Sequence, residues 1–142
     1  MAKEIQYLGI IDLISDHYVH LRRMIEELWN EQSDLSISNS EWYIMGRIYQ
    51  NQPTIASVSK HVEMSRQATH KWIKTLEAKG LVVVQQVENN KKVRCLQLTG
   101  YGEACYEKYM DIKSALEKRI EAQIGSEQVT NISTILKLNW GI

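Results

Sequence analysis

Apolar residues recur in steps of three and four from the start of the chain: Tyr7, Ile11, Ile14, Tyr18, Leu21, Ile25 and Leu28, with Ile10, Leu13 and Met24 widening the stripe. That period predicts a long amphipathic helix over Ile5 to Trp29, ended by Gln32-Ser33-Asp34. Its apolar face is broader than one neighbour in a small domain can cover, so a partner subunit is the economical explanation. Ser38 followed by Glu41 has the spacing of a capping box and predicts a helix from Asn39 to Gln50, closed before Gln52-Pro53. Thr54 caps the next helix, whose Ile55, Val58 and Val62 face inward.

Glu63-Met64-Ser65 then reads as a turn, with Ser65 as the cap of a further helix. On that helix Thr69, Trp72, Ile73 and Leu76 share one side and are expected to pack on the core. The opposite side carries Gln67, Lys71 and Lys74, flanked by Arg66, Ala68, His70 and Thr75. Gly80 suits the left-handed residue that ends a helix. Leu81 to Val87 is β-branched, Glu88 to Lys91 reads as a turn, and Val93 to Leu98 alternates, which together predict a hairpin with a charged tip. Thr99 caps a last long helix bearing Cys105, Tyr109, Ile112, Leu116, Ile120 and Ile124. Gly125-Ser126 breaks it, and Val129, Ile132, Leu136 and Trp140 mark a short final helix.

The fold class expected is mainly α with a small β-hairpin wing: a winged helix-turn-helix between N- and C-terminal helices. In that plan one helix enters the DNA major groove while the hairpin reaches neighbouring backbone or minor groove.

Charge bears on this reading only once it is located. The whole chain of 142 residues is neutral, with 17 cations and 17 anions. Lys60 to Arg94 nevertheless holds eight cations against three anions, a local +5 balanced by −5 elsewhere. Phosphate affinity follows the local field, so a basic module on an acidic body fits a nucleic-acid binder.

Other chemistry is sparse. No apolar run approaches the ~20 residues of a membrane span, and the N-terminus lacks a signal-peptide pattern, so a cytoplasmic protein without membrane contact is expected. Cys95 and Cys105 have no C-x-x-C spacing and read as reduced, mostly buried thiols. His17 and His20, with Asp16, stand at i, i+3 without further ligands, too little to predict a metal. No G-x-S-x-G, P-loop or H-E-x-x-H occurs, and neither an enzyme nor a cofactor is expected.

The order of elements resembles the MarR family of bacterial transcription regulators over nearly the whole chain. Ser38-Asn39-Ser40-Glu41-Trp42 is similar to that family's capped second helix, Leu76-Glu77-Ala78-Lys79-Gly80-Leu81-Val82 to the exit of its recognition helix, and Leu98-Thr99-Gly100-Tyr101-Gly102 to its L-T-x-x-G motif. One departure stands out: where the family commonly has Asp-x-Arg in the wing, this chain has Asn90-Lys91-Lys92. Lysine lacks arginine's planar fork, which favours plain phosphate contact over narrow-groove insertion.

The resemblance implies one MarR-like domain over 1–142, with dimerisation helices at 1–31 and 99–142 and a DNA-binding lobe at 38–98. It implies a homodimeric regulator, more often a repressor, on double-stranded DNA of pseudo-palindromic sequence, relieved by a small aromatic or lipophilic effector. DNA contacts are expected from Ser65, Arg66, Gln67, Ala68, His70, Lys71, Lys74 and Thr75 on the recognition helix. Asn89, Asn90, Lys91 and Lys92 would contribute from the wing, and the caps Ser38 and Thr54 would touch phosphate. Gln67 and Lys71 suit adenine and guanine respectively, whereas Arg66, Lys74, Lys91 and Lys92 suit phosphates. By the same analogy Tyr18, Trp42 and Met45 would line an effector pocket. The competing readings are a winged-helix module that docks on an acidic protein, and a redox or metal sensor on the same scaffold.

Overall fold

The computed structural model describes residues 8–87 and 90–142, and the side chains of all of these except 90 and 91. Helices run over α1 (Ile10–Gln32), α2 (Asn39–Ile48), α3 (Ile55–His61) and α4 (Arg66–Ala78), followed by β1 (Val82–Val87), β2 (Asn90–Leu98), α5 (Gly100–Ile124) and α6 (Ser126–Lys137). The chain divides into two compact units: 34–109, and the two termini 1–33 with 110–142.

In the unit 34–109, local signals start and stop each helix. The capping box of α2 is complete, since Glu41 N–H donates to Ser38 Oγ (3.2 Å) and Ser38 N–H donates to the Glu41 carboxylate (2.9 Å). Thr54 Oγ1 accepts from Ser57 N–H, and Ser65 Oγ accepts from Ala68 N–H, both at 3.0 Å. The turn between α3 and α4 places Glu63 in the left-handed region (φ 48°), which reverses the chain within the four residues separating the two helices. At the far end of α4, Gly80 has φ 75°. Gly80 N–H bonds Glu77 C=O and Leu81 N–H bonds Leu76 C=O, the paired bonds of a Schellman ending. Leu76 and Leu81 are both wholly buried there, so the hydrophobic contact that accompanies this motif is available.

α4 packs on α2, α3 and β1, and β2 returns across α2 and α3. Ile44, Met45, Ile48, Val58, Ile73, Leu76, Leu81 and Leu96 form the core of this unit. β1 and β2 are antiparallel, with Val82 opposite Leu98 and Val84 opposite Leu96; the register shifts between Gln86 and Val87. Pro53 C=O accepts from Leu96 N–H (2.8 Å), which ties the approach to α3 onto the hairpin.

The start of α5 explains the L-T-x-x-G motif. Thr99 Oγ1 accepts from Gly102 N–H (2.9 Å) and donates to Gly80 C=O (2.7 Å), while Thr99 N–H bonds Leu81 C=O. A Cβ at position 102 would collide with the Leu81 carbonyl oxygen, a backbone atom that cannot swing aside. Gly102→Ala should therefore lower unfolding free energy by about 2 kcal/mol. At Gly100, where a Cβ meets nothing within 4 Å, alanine should be neutral or stabilising. Urea titration of both variants checks this, and equal stability of the two would refute the steric account.

In the terminal unit, α1 begins at Ile10 with Gly9 as its N-cap, and the part of the predicted helix at Ile5 to Tyr7 lies outside the described residues. Residues 10–20 are all exposed, although they carry Ile10, Ile11, Leu13, Ile14, Tyr18 and Val19. α6 buries none of its side chains, with Ile132, Ile135 and Leu136 about half exposed. No helix among the described residues is long and apolar enough to cross a membrane.

Candidate nucleic-acid interface

The outer face of α4 gathers most of the residues singled out in sequence. Arg66, Gln67, His70, Lys71 and Lys74 are exposed, and together with Thr75 they border an open hollow of about 810 Å³. Thr69, Ile73 and Leu76 are buried on the opposite side, as the helical spacing requires. Arg66 and Gln67 occupy the first turn, where unpaired amides and the helix dipole favour an anion. α4 carries no acid before Glu77, so nothing on its first two turns opposes that field.

Two positions on α4 differ from the sequence expectation. Trp72 was expected in the core but is only partly buried, with the Lys71 ammonium 5.1 Å from its ring centre. Its side chain lies at the margin between the buried stripe and the outer face. Thr75, expected to flank the DNA-facing side, is half-buried and directs its hydroxyl to the Glu41 carboxylate (2.8 Å) and the Trp72 carbonyl (2.8 Å).

Glu41 is the residue whose larger role the sequence did not reveal. Its side chain is 1% exposed, and besides Ser38 N–H and the Thr75 hydroxyl it accepts from Lys79 Nζ at 2.7 Å. Lys79 also donates to Ser36 C=O (2.7 Å). Burial alone pushes the Glu41 carboxyl up, but Lys79, the Ser38 amide, and the Thr75 and Ser38 hydroxyls together hold it below its ordinary value. One carboxylate thus caps α2 and fastens the C-terminal half of α4 to it. Lys79, part of the basic surplus in sequence, is neutralised by this pairing and adds little outward field.

In the wing, Lys92 is exposed, Asn89 lies outside the described residues, and so do the side chains of Asn90 and Lys91. Ser38 and Thr54 are half-buried caps whose oxygens accept internal amides, and the Ser38 hydroxyl also supports the Glu41 carboxylate. Ala68 is half-buried, and its N–H is taken by Ser65.

Of the residues assigned to an effector pocket, Met45 is wholly buried. Trp42 is 3% exposed and stacked on Tyr109, with ring centres 4.1 Å apart and planes 6° from parallel. Tyr18, in the terminal unit, is 54% exposed. Burial raises the Cys105 thiol above its ordinary range, against the low value a reactive thiolate needs. Among the described residues no three or more metal-binding side chains cluster.

Neither a family model nor a curated protein sequence matches the chain. Solved structures do. The DNA complex of MepR from S. aureus superposes with a TM-score of 0.75 at 16% identity, covering 91% of this chain and 94% of that one. Another structure of MepR, a transcription regulator of the Staphylococcus aureus multidrug efflux pump MepA, gives 0.71 at 18% identity, with 91% and 94% covered. YusO from Bacillus subtilis gives 0.66 at 16% identity, covering 91% and 95%. With the capped α2, the Schellman exit of α4 and the L-T-x-x-G start of α5 all in place, the chain has the winged helix-turn-helix fold of the MarR-type regulators that its motifs resemble.

Proposed function

We propose that this protein is a sequence-specific DNA-binding transcription regulator that reads double-stranded DNA through the outer face of α4. The observation that carries the proposal is the row Arg66, Gln67, His70, Lys71 and Lys74, all exposed on a helix whose opposite side is locked into the core. A rigid helix with amide, imidazole and ammonium groups along one edge has the donors and acceptors that base edges in a major groove require. Similarity of fold to a protein solved on DNA supports the same use. Arg66, Lys74 and the wing lysines Lys91 and Lys92 supply phosphate contacts that set register without reading sequence.

The active species is a homodimer. The exposed apolar residues of α1 and α6, Ile10, Ile11, Ile14, Ile132, Ile135 and Leu136, support a second copy as their cover. Two-fold symmetry then presents two recognition helices to successive major grooves, about one helical turn apart, and the operator is pseudo-palindromic. Repression by occupancy is the simplest output of such a dimer. A small aromatic or lipophilic effector relieves it only by binding the competent and incompetent dimers differently. In the lobe, a flat aromatic molecule would have to take the place of Tyr109 against Trp42.

Selection of bound duplexes from a random library at near-physiological salt tests this reading. A palindromic motif with half-sites about one turn apart is the expected result. Salt-sensitive binding without sequence preference would sink it and favour docking on an acidic protein partner.

A further inference from the structure

The partly exposed Trp72 lies beside Lys71, one of the cations of the outer face. A tryptophan at that position of α4 has two ways to lie: inward with Ile73 and Leu76, or at the margin, where the ring keeps a face open. The structure has the second, and the Lys71 ammonium stands 5.1 Å from the ring centre, within the range of a cation–π contact. This contact is absent from the sequence pattern, because residues i and i+1 point about 100° apart on a helix and are not ordinarily neighbours.

We infer that Trp72 is a positioning residue for base recognition, its indole face holding the Lys71 ammonium at a fixed place on the outer edge of α4 so that lysine reads a base rather than wandering among phosphates. The inference rests on the DNA-binding reading above. Its physical content is entropic. A free lysine is a point charge on a four-carbon stem that loses rotamer freedom when it docks, and it pairs as readily with any phosphate as with a base edge. An ammonium seated on an aromatic face has part of that ordering done beforehand. It still has N–H bonds directed away from the ring, toward the side where a guanine would present O6 and N7. Trp72 therefore changes what Lys71 discriminates more than how strongly it attracts DNA.

The test is a double-mutant cycle on the selected operator and a scrambled duplex, using the full-length protein. Trp72→Leu keeps the apolar bulk and removes the aromatic face; Trp72→Phe keeps a face; Lys71→Met removes the charge. Trp72→Leu should lower the operator-to-scrambled ratio about two- to five-fold while leaving the salt dependence on scrambled DNA unchanged. Trp72→Phe should retain most of the ratio. In the Lys71→Met background, Trp72→Leu should change the ratio no further. In the free protein, the Lys71 ε-methylene proton resonances should sit upfield from the indole ring current and return to ordinary values in Trp72→Leu.

An equal loss of discrimination with and without Lys71 would overturn the inference and leave Trp72 a merely structural residue, as would unshifted Lys71 resonances. Failure of the unmodified protein to prefer any duplex would overturn the DNA reading itself, and this inference with it.

Discussion

Replacing Gln67 and Lys71 together by alanine is expected to reduce discrimination between operator and scrambled DNA about 100-fold or more, because each good pairing with a base edge contributes roughly 1–3 kcal/mol of selectivity. Both side chains are exposed on α4 and neither takes part in the core, so the thermal midpoint should move little. The salt dependence should fall by only about one counterion, that of Lys71. Arg66→Ala with Lys74→Ala should do the converse, weakening operator and scrambled duplex alike and reducing the salt slope by about two. Fluorescence anisotropy on both duplexes across a salt series separates these outcomes. Full retention of discrimination by the Gln67/Lys71 variant would remove those two residues from base recognition.

How much of this was legible in the sequence depends on how far each interaction reaches along the chain. The caps at Ser38, Thr54, Ser65 and Thr99 and the αL exit at Gly80 were readable, because each closes within a few residues and the residue type is chosen by that local geometry. The exposed edge of α4 was readable for a similar reason, since helical spacing alone assigns its faces. Misplacements occurred where a neighbour distant in sequence decides. Thr75 lies on the flank of α4 by spacing, but Glu41, 34 residues away, claims its hydroxyl. Glu41 was read as a capping residue and is one, yet its bond to Lys79 spans 38 residues and has no local signature. Trp72 shares the helical spacing of the core-facing side, yet Thr69, Ile73 and Leu76 are buried there while Trp72 is only partly so. β2 starts at Asn90, three residues before the alternating pattern begins, because Asn90 pairs with Val87 beyond the register shift at Gln86/Val87.

The second large effect is expected at Glu41. Truncation by Glu41→Ala removes the acceptor for Ser38 N–H, the Thr75 hydroxyl and Lys79 in one step and leaves a cavity where the side chain was wholly enclosed. Loss of one partner from a buried, hydrogen-bonded pair costs roughly 3–5 kcal/mol; the Lys79 side chain, 27% exposed, can return to water, which keeps the cost at the low end of that range. The converse variant, Lys79→Met, strands a buried carboxylate whose remaining donors are one amide and two hydroxyls, and its carboxyl should titrate higher than in the unmodified protein. Because the folded-state carboxyl lies below its ordinary value of 4.5, its contribution to stability is fully present above that pH and is lost as pH falls through the folded value. Glu41→Gln, which cannot ionise, should therefore be less stable than the unmodified protein at neutral pH, and the gap should narrow as the solution is acidified below about 4.5. Urea unfolding of both proteins at several values between pH 7 and pH 3 measures that gap directly. A gap that stays constant with pH would mean that the ionised carboxylate is not what fastens α4 to α2. If it is, the same variants should also lose operator discrimination at neutral pH, since the row of residues proposed to read the groove is only as well aimed as the helix that carries it.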